Sequence, residues 1–197
     1  MAEFDDRWTL FLDRDGVINV ERVGGYVLRW ADFEFLPGVE AALKVLKSIF
    51  GRIIVVTNQR GVGKGLMTHE ELQAIHQQMR AHIEAAGGRI DAIYACTDAE
   101  DESPCRKPNI GMALQAKRDF PEIDFKYSIM VGNTESDMYF GRALGMRTIW
   151  IASRKPSPEP PYLAEAVYAS LWEWTQALER GQSKFSLPKS ASYSIKD

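Results

Sequence analysis

The chain has 197 residues, 45% of them hydrophobic and 26% charged, with a formal net charge of −3. That length suits one domain with a sizeable core, and the acidic balance argues against nucleic acid as the main partner. No apolar run approaches the roughly 18 residues of a membrane span, the acidic start is unlike a signal peptide, and two cysteines are too few for a disulfide framework, so a reducing cytoplasm is expected.

Residues 8–12 form a short apolar run, read as the first strand. It leads straight into Asp13-Arg14-Asp15-Gly16-Val17-Ile18-Asn19. Side chains alternate along extended backbone, so Asp13 and Asp15 share a side and Arg14 takes the other. Two carboxylates that close repel unless a cation or a shared proton relieves them. Phosphoryl transfer uses both remedies, a bound Mg²⁺ and a carboxyl that carries a proton. The plain alternative is a strand end with two surface acids.

Pro37-Gly38 opens a helix in which Val39, Ala42, Leu43 and Leu46 share a face. A second strand, 52–57, ends in Thr57-Asn58-Gln59-Arg60-Gly61-Val62-Gly63-Lys64-Gly65. The Thr57 hydroxyl and the Asn58 amide can donate to phosphate oxygens there, and the glycines let backbone N–H groups approach an anion. A flexible connecting loop is the alternative. The segment is not a Walker A loop: Asn58 stands at its first glycine, and Gly65 stands where Ser or Thr should follow the lysine. Thr68-His69-Glu70-Glu71 reads as a capping box for a helix reaching about Ala86, stopped by Gly87-Gly88.

A third strand, 90–96, is followed by Cys105-Arg106-Lys107-Pro108. A cation beside a helix N-terminus attracts anions. That helix runs from about Asn109 to Phe120-Pro121. The fourth strand, 127–131, leads into Gly132-Asn133-Thr134-Glu135-Ser136-Asp137. Oxygens there can complete a Mg²⁺ shell with Asp13. Alternatively Asn133 or Thr134 caps the next helix, with Asp137 in its first turn. This helix ends near Leu144 at Gly145, and a fifth strand covers 147–151.

Strands alternating with helices predict a doubly wound parallel sheet of about five strands with helices on both faces. Ligands in such sheets bind beyond the strand C-termini, where every polar motif above falls. A stiff proline-rich connector, 155–161, precedes a last helix over about 163–180. Its Trp172 and Trp174 read as core or dimer contacts. Residues 1–180 are expected to form a single domain, and 181–197 a loosely held polar tail.

In chain order, Asp13-Arg14-Asp15-Gly16, Thr57, Lys107 and the Gly132-to-Asp137 run resemble the four motifs of the haloacid dehalogenase-like (HAD) phosphatase superfamily. DRDGVIN, GGYV, DFEFLPGV, TNQRGVGKG and CRKPNIGM are further similar to the branch of heptose 1,7-bisphosphate 7-phosphatases and histidinol-phosphate phosphatases. The resemblance spans residues 8–151. It implies that Asp13 is the nucleophile that forms an aspartyl-phosphate and Asp15 the general acid and base. It further implies that Thr57, with Asn58 beside it, and Lys107 bind the phosphoryl group, and that Arg106 contacts substrate. Mg²⁺ would lie between Asp13, the backbone carbonyl of Asp15 and Asn133.

Two departures stand out. Asn133 occupies the position of the fourth motif's first acid, so one negative charge is lost; Asp137 can compensate, and Glu135 is near. In the zinc loop of the branch, Cys96 and Cys105 hold the outer positions, but Asp98 stands where a His should be. A closed four-ligand zinc site is not available, and no zinc is expected.

The expected activity is hydrolysis of a small phosphorylated metabolite, a heptose bisphosphate first. Histidinol phosphate, a nucleic-acid 3′-phosphate, and phosphosugar binding without turnover are the alternatives, the last motivated by Asn133. No membrane or nucleic-acid partner is expected, and the chain is expected to be a monomer or weak homodimer. No insert is long enough for a large cap, so loops 21–35, 59–67 and 96–104 should shape an open site.

Overall fold

The computed structural model describes residues 4–182. Its strands are β1 (Thr9–Leu12), β2 (Arg52–Asn58), β3 (Ala92–Cys96), β4 (Ser128–Gly132), β5 (Arg147–Ile151) and β6 (Ala166–Tyr168). Its helices are α1 (Val39–Ile49), α2 (Arg60–Gly63), α3 (His69–Ala85), α4 (Gly111–Asp119), α5 (Glu135–Ala143) and α6 (Leu171–Glu179). The strands make one parallel sheet in the order β3-β2-β1-β4-β5-β6.

That order fixes where a ligand can sit. From β1 the chain winds outward to β2 and β3, then returns to the far side of β1 for β4, β5 and β6. The connections leaving β1 and β4 run in opposite directions, which opens a crevice at their C-terminal ends. Leu12 of β1 pairs with Val131 of β4, so the residues that follow each strand emerge side by side.

Strand alternation supplies both core faces. Leu10, Leu12, Ile53, Val55, Ile129 and Val131 pack with Leu43 and Leu46 of α1, Met79 and Ile83 of α3, and Trp174 of α6. Phe11, Ile54, Val56 and Met130 pack on the other side with Met112, Ala113 and Ala116 of α4 and Phe140 of α5. Burial on both faces is why the strands read as continuous apolar runs.

A sixth strand corrects the expected count of about five. β6 pairs in parallel with β5 and takes residues expected at the start of the last helix. That helix begins only at Leu171, after Ser170, whose Oγ accepts from the Glu173 N–H at 3.1 Å. Trp174 is buried with its ring 6.1 Å from that of Phe50, so it belongs to the core. The expected Thr68 capping box forms: Oγ1 accepts from Glu71 N–H at 3.1 Å, and Thr68 N–H donates to Glu71 Oε2 at 2.7 Å.

No large cap covers the strand ends among the described residues. One helical turn, Trp30–Asp32, separates β1 from α1, and only the four-residue α2 separates β2 from α3. No helix of the described residues is long and apolar enough to cross a membrane. The expected polar tail lies, from residue 183 onward, outside the described residues.

Candidate active site

Asp13 is the first residue after β1. Its N–H donates to the Val131 carbonyl at 2.9 Å, which ties it to β4. It lines a pocket of about 180 Å³ with Asp15, Glu21, Thr57, Asn58, Lys107, Thr134, Ser136 and Asp137. Residues from the ends of β1, β2 and β4, and from the loop after β3, thus converge at the switch point.

Lys107 is buried, and its Nζ donates to Asp13 Oδ1 at 2.8 Å, Asp137 Oδ1 at 2.6 Å and the Val56 carbonyl at 2.7 Å. Burial alone would lower its ammonium; Asp13 and Asp137 more than offset that, and it is held above its ordinary value. Burial raises the Asp13 carboxyl. Lys107 opposes the rise while Asp137 and Asp15 add to it, and Asp13 ends well above the usual carboxylate range.

Asp15 is held the other way. Burial would raise it, but the Arg14 guanidinium at 3.0 Å, the Asn19 amide at 2.9 Å and the Gln59 amide at 2.8 Å keep it ionised and below the ordinary range. Arg14 itself is fully buried, and its other end donates to His76 Nε2 at 3.1 Å. Gln59 Nε2 also donates to Thr57 Oγ1 at 2.8 Å.

The Asn58 side chain is spent on backbone. Its Oδ1 accepts from the Lys107 N–H at 3.0 Å and its Nδ2 donates to the Lys107 carbonyl at 3.1 Å. It therefore fixes the segment that carries Lys107. Asp137 uses both oxygens. Oδ1 meets Lys107, while Oδ2 accepts from Asn133 N–H, Thr134 N–H and Thr134 Oγ1 at 3.2, 3.0 and 2.7 Å. This is the helix cap of α5, with Thr134 at the N-cap position. Asn133 is buried; its Nδ2 donates to Glu21 Oε2 at 3.1 Å and its Oδ1 has no hydrogen-bond partner. Arg106 stands apart from the pocket lining. Its guanidinium donates to the carbonyls of Asp98 and Glu100.

Known proteins resemble this chain in sequence and fold. Residues 9–167 match the family described as Polynucleotide kinase 3 phosphatase. A D-glycero-alpha-D-manno-heptose-1,7-bisphosphate 7-phosphatase of Mycobacterium bovis is 38% identical over 174 residues, 87% of this chain and 92% of the relative. The D-glycero-beta-D-manno-heptose-1,7-bisphosphate 7-phosphatase of Escherichia coli K12 is 36% identical over 183 residues, 88% of this chain and 94% of the relative. The solved D,D-heptose 1,7-bisphosphate phosphatase of B. bronchiseptica, complexed with magnesium and phosphate, superposes with a TM-score of 0.77 at 25% identity, over 88% of this chain and 99% of that one.

This chain belongs to the HAD phosphatase superfamily. A HAD site works on anions, yet this lining carries the acids Asp13, Asp15, Glu21 and Asp137, which outnumber Lys107 within it and Arg14 and Arg154 behind Asp15 and Glu21. Such a pocket repels a phosphate ester unless a cation is added. The buried, unpartnered Oδ1 of Asn133 is an oxygen that a hard cation can use. The donor set therefore fits Mg²⁺.

The cysteine loop of this HAD chain differs from the expectation drawn from its cysteine count. Cys96 and Cys105 form a disulfide across a Cα separation of 5.3 Å. The loop after β3 folds back and brings the second cysteine beside the first, within reach of a bridge. The Asp98 carboxylate joins them, all three ligand atoms lying within 4.8 Å of one another. Joined sulfurs are not thiolates and do not ligate a metal as such.

Several residues of the HAD site escape sequence reasoning. Gln59 and Asn19 hold Asp15, and both lie inside the quoted motifs, so their position was a usable signal. Glu21 and the buried Arg14–His76 contact join positions far apart in the chain, which no local pattern announces.

Proposed function

We propose that this protein is a Mg²⁺-dependent phosphomonoesterase that passes a phosphoryl group from a sugar phosphate to Asp13 and then to water. The observation that carries the reading is the Asp13 carboxylate, buried at the end of β1 with Lys107 Nζ at 2.8 Å and Asp15 on the same pocket wall.

Asp13 attacks phosphorus as the bond from phosphorus to the ester oxygen breaks, and Asp15 gives its proton to that leaving oxygen. Water then attacks the phosphorus of the aspartyl-phosphate and gives a proton to Asp15. The bond to Asp13 breaks, Asp13 is a carboxylate again, and Asp15, left protonated, gives its proton to solvent as the products leave. Without substrate Asp15 is ionised. The negative oxygens of an arriving ester favour its protonated form, so it takes a proton from solvent as the substrate binds.

Thr57 Oγ accepts from Gln59 and keeps its own proton for a phosphoryl oxygen. Lys107 balances charge on the other oxygens. Asn58 serves phosphate binding by holding the Lys107 backbone, and Arg106 serves the part of the substrate outside the pocket. Asp13, the backbone carbonyl of Asp15 and Asn133 would hold Mg²⁺, which offsets charge on the phosphoryl oxygens, while Asp137, expected as a further ligand, has both oxygens taken by Lys107 and the α5 cap and adds charge nearby instead.

A pocket of about 180 Å³ takes a phosphoryl group and leaves the rest of the substrate outside. The names of the relatives support D-glycero-D-manno-heptose 1,7-bisphosphate, cleaved at the 7-phosphate. A second reading, a nucleic-acid 3′-phosphate, draws on the description of the matching family. Phosphate release from a panel holding both, histidinol phosphate and other sugar phosphates, with Mg²⁺ and with EDTA, decides among them. Fastest release from the heptose bisphosphate, abolished by EDTA, is the expected result. Fastest release from a 3′-phosphorylated oligonucleotide would overturn the substrate, and no release at all the activity.

The proposal extends to the setting. Residues 1–180 act as a single domain without zinc. A charged sugar phosphate does not cross a bilayer unaided, which supports a cytoplasmic enzyme, although the Cys96–Cys105 bridge removes the support drawn from the cysteine count. The three-residue edge strand β6 offers little to pair with, which supports a monomer or weak homodimer.

A further inference from the structure

Asn133 presents its cation-facing chemistry only if its carboxamide is turned one way. A carboxamide carries an acceptor on one side and two donors on the other, and its partners decide the orientation. Here the partner is Glu21, from the loop after β1. Its Oε2 accepts from Asn133 Nδ2 at 3.1 Å across 112 positions of chain. The opposite orientation would set the amide oxygen against a carboxylate oxygen, acceptor against acceptor. Glu21 thus leaves Oδ1 as the free atom, and that atom is buried and unpartnered.

Two further contacts frame the amide. Gly16 has a φ of 85°, and a Cβ there would lie 2.0 Å from Asn133 Nδ2. The glycine admits the amide as well as the turn. Glu21 Oε1 accepts from Arg154 Nη1 at 2.9 Å, so the carboxylate is held from behind. Arg154 is half exposed, and its screening of Glu21 is partial. Glu21 lines the same pocket as Asp13 and Asp15.

We propose that Glu21 is a positioning residue. It locks Asn133 with its oxygen available to a divalent cation, and it returns to the site the negative charge that an amide at position 133 lacks. The inference rests on the reading of this pocket as a Mg²⁺ site. It makes Glu21 and Asn133 a pair: an acid at 133 needs no orienting and would be repelled by Glu21.

The test is Mg²⁺ affinity, measured by titration calorimetry on the full chain, with thermal melting to confirm folding. Glu21→Gln removes the charge at nearly constant volume, and Glu21→Ala removes the acceptor as well. Either should weaken Mg²⁺ binding on the order of tenfold, the usual effect of losing a partner that orients a ligand. In the Asn133→Asp background the sign should reverse, and Glu21→Gln should leave affinity unchanged or raise it. Equal weakening in both backgrounds, or no weakening in the parent, would overturn the positioning role while leaving the metal site standing. A parent that binds no Mg²⁺ would overturn both.

Discussion

Lys107 Nζ lies 2.8 Å from Oδ1 of Asp13, although the two residues stand 94 positions apart in the chain. The contact joins the segment before α4 to the end of β1 and holds charge at the centre of the sheet's C-terminal edge. Lys107→Met keeps the length of the side chain and leaves Asp13 and Asp137 buried without their cation. Breaking such a pair costs about 3–5 kcal/mol. Urea unfolding should show a loss of about 3 kcal/mol, the low end, because Asp13 takes up a proton readily. Turnover should vanish with it. Unchanged stability would show that the strand ends do not depend on this pair.

His76 offers a pH test away from the chemistry. Burial, with Arg14 beside it, lowers its imidazole from 6.5 to about 3. The unfolded chain binds a proton as pH falls through 6.5, and the folded chain does not until about 3. Stability is therefore full above 6.5 and falls progressively between those values. His76→Gln keeps an acceptor for Arg14 and removes the titration. Its melting temperature should fall less steeply than the parent's across that window. Parallel curves would mean His76 takes its proton without cost.

Position 133 sets the Mg²⁺ requirement. Affinity for hard cations follows the charge of the oxygen ligands. Asn133→Asp should lower the Mg²⁺ concentration for half-activity by about tenfold, with a smaller change in rate at saturation. Superimposable activity titrations would take Asn133 out of the metal shell and leave it as part of the α5 N-terminus.

Zinc should be absent from protein purified without chelator. The Cys96, Asp98 and Cys105 cluster lacks a fourth ligand among the described residues, and its sulfurs are joined. Elemental analysis giving near one zinc per chain would show that the cluster exists reduced and metal-bound.

What could be read ahead of the structure follows the range of the forces involved. Asp13, Asp15 and Thr57 sit at strand ends and Lys107 in the segment before α4, and switch-point topology brings them into one pocket. β6 was hidden because three half-exposed residues carry no period, and the apolar positions from Leu163 onward fit a helix. Ser170-Leu171-Trp172-Glu173 did carry a helix-start signature, which marks the true boundary. Asn58 shows the opposite limit. Its residue type suits phosphate, but only the fold reveals that its amide is committed to the Lys107 backbone. Glu21 needed the third dimension altogether, since its partner lies 112 positions away between β4 and α5.

Asp13 is the residue proposed to carry the phosphoryl group. Asp13→Asn is nearly isosteric and removes the nucleophile and one charge. The direct measurement is Mg²⁺-dependent phosphate release by the parent and by Asp13→Asn on the best substrate of the panel, with melting curves for both. Asp13→Asn should fold and show no turnover, while Asp15→Asn should lose about 10²–10⁴ in rate. Release by Asp13→Asn at the parental rate would contradict that role.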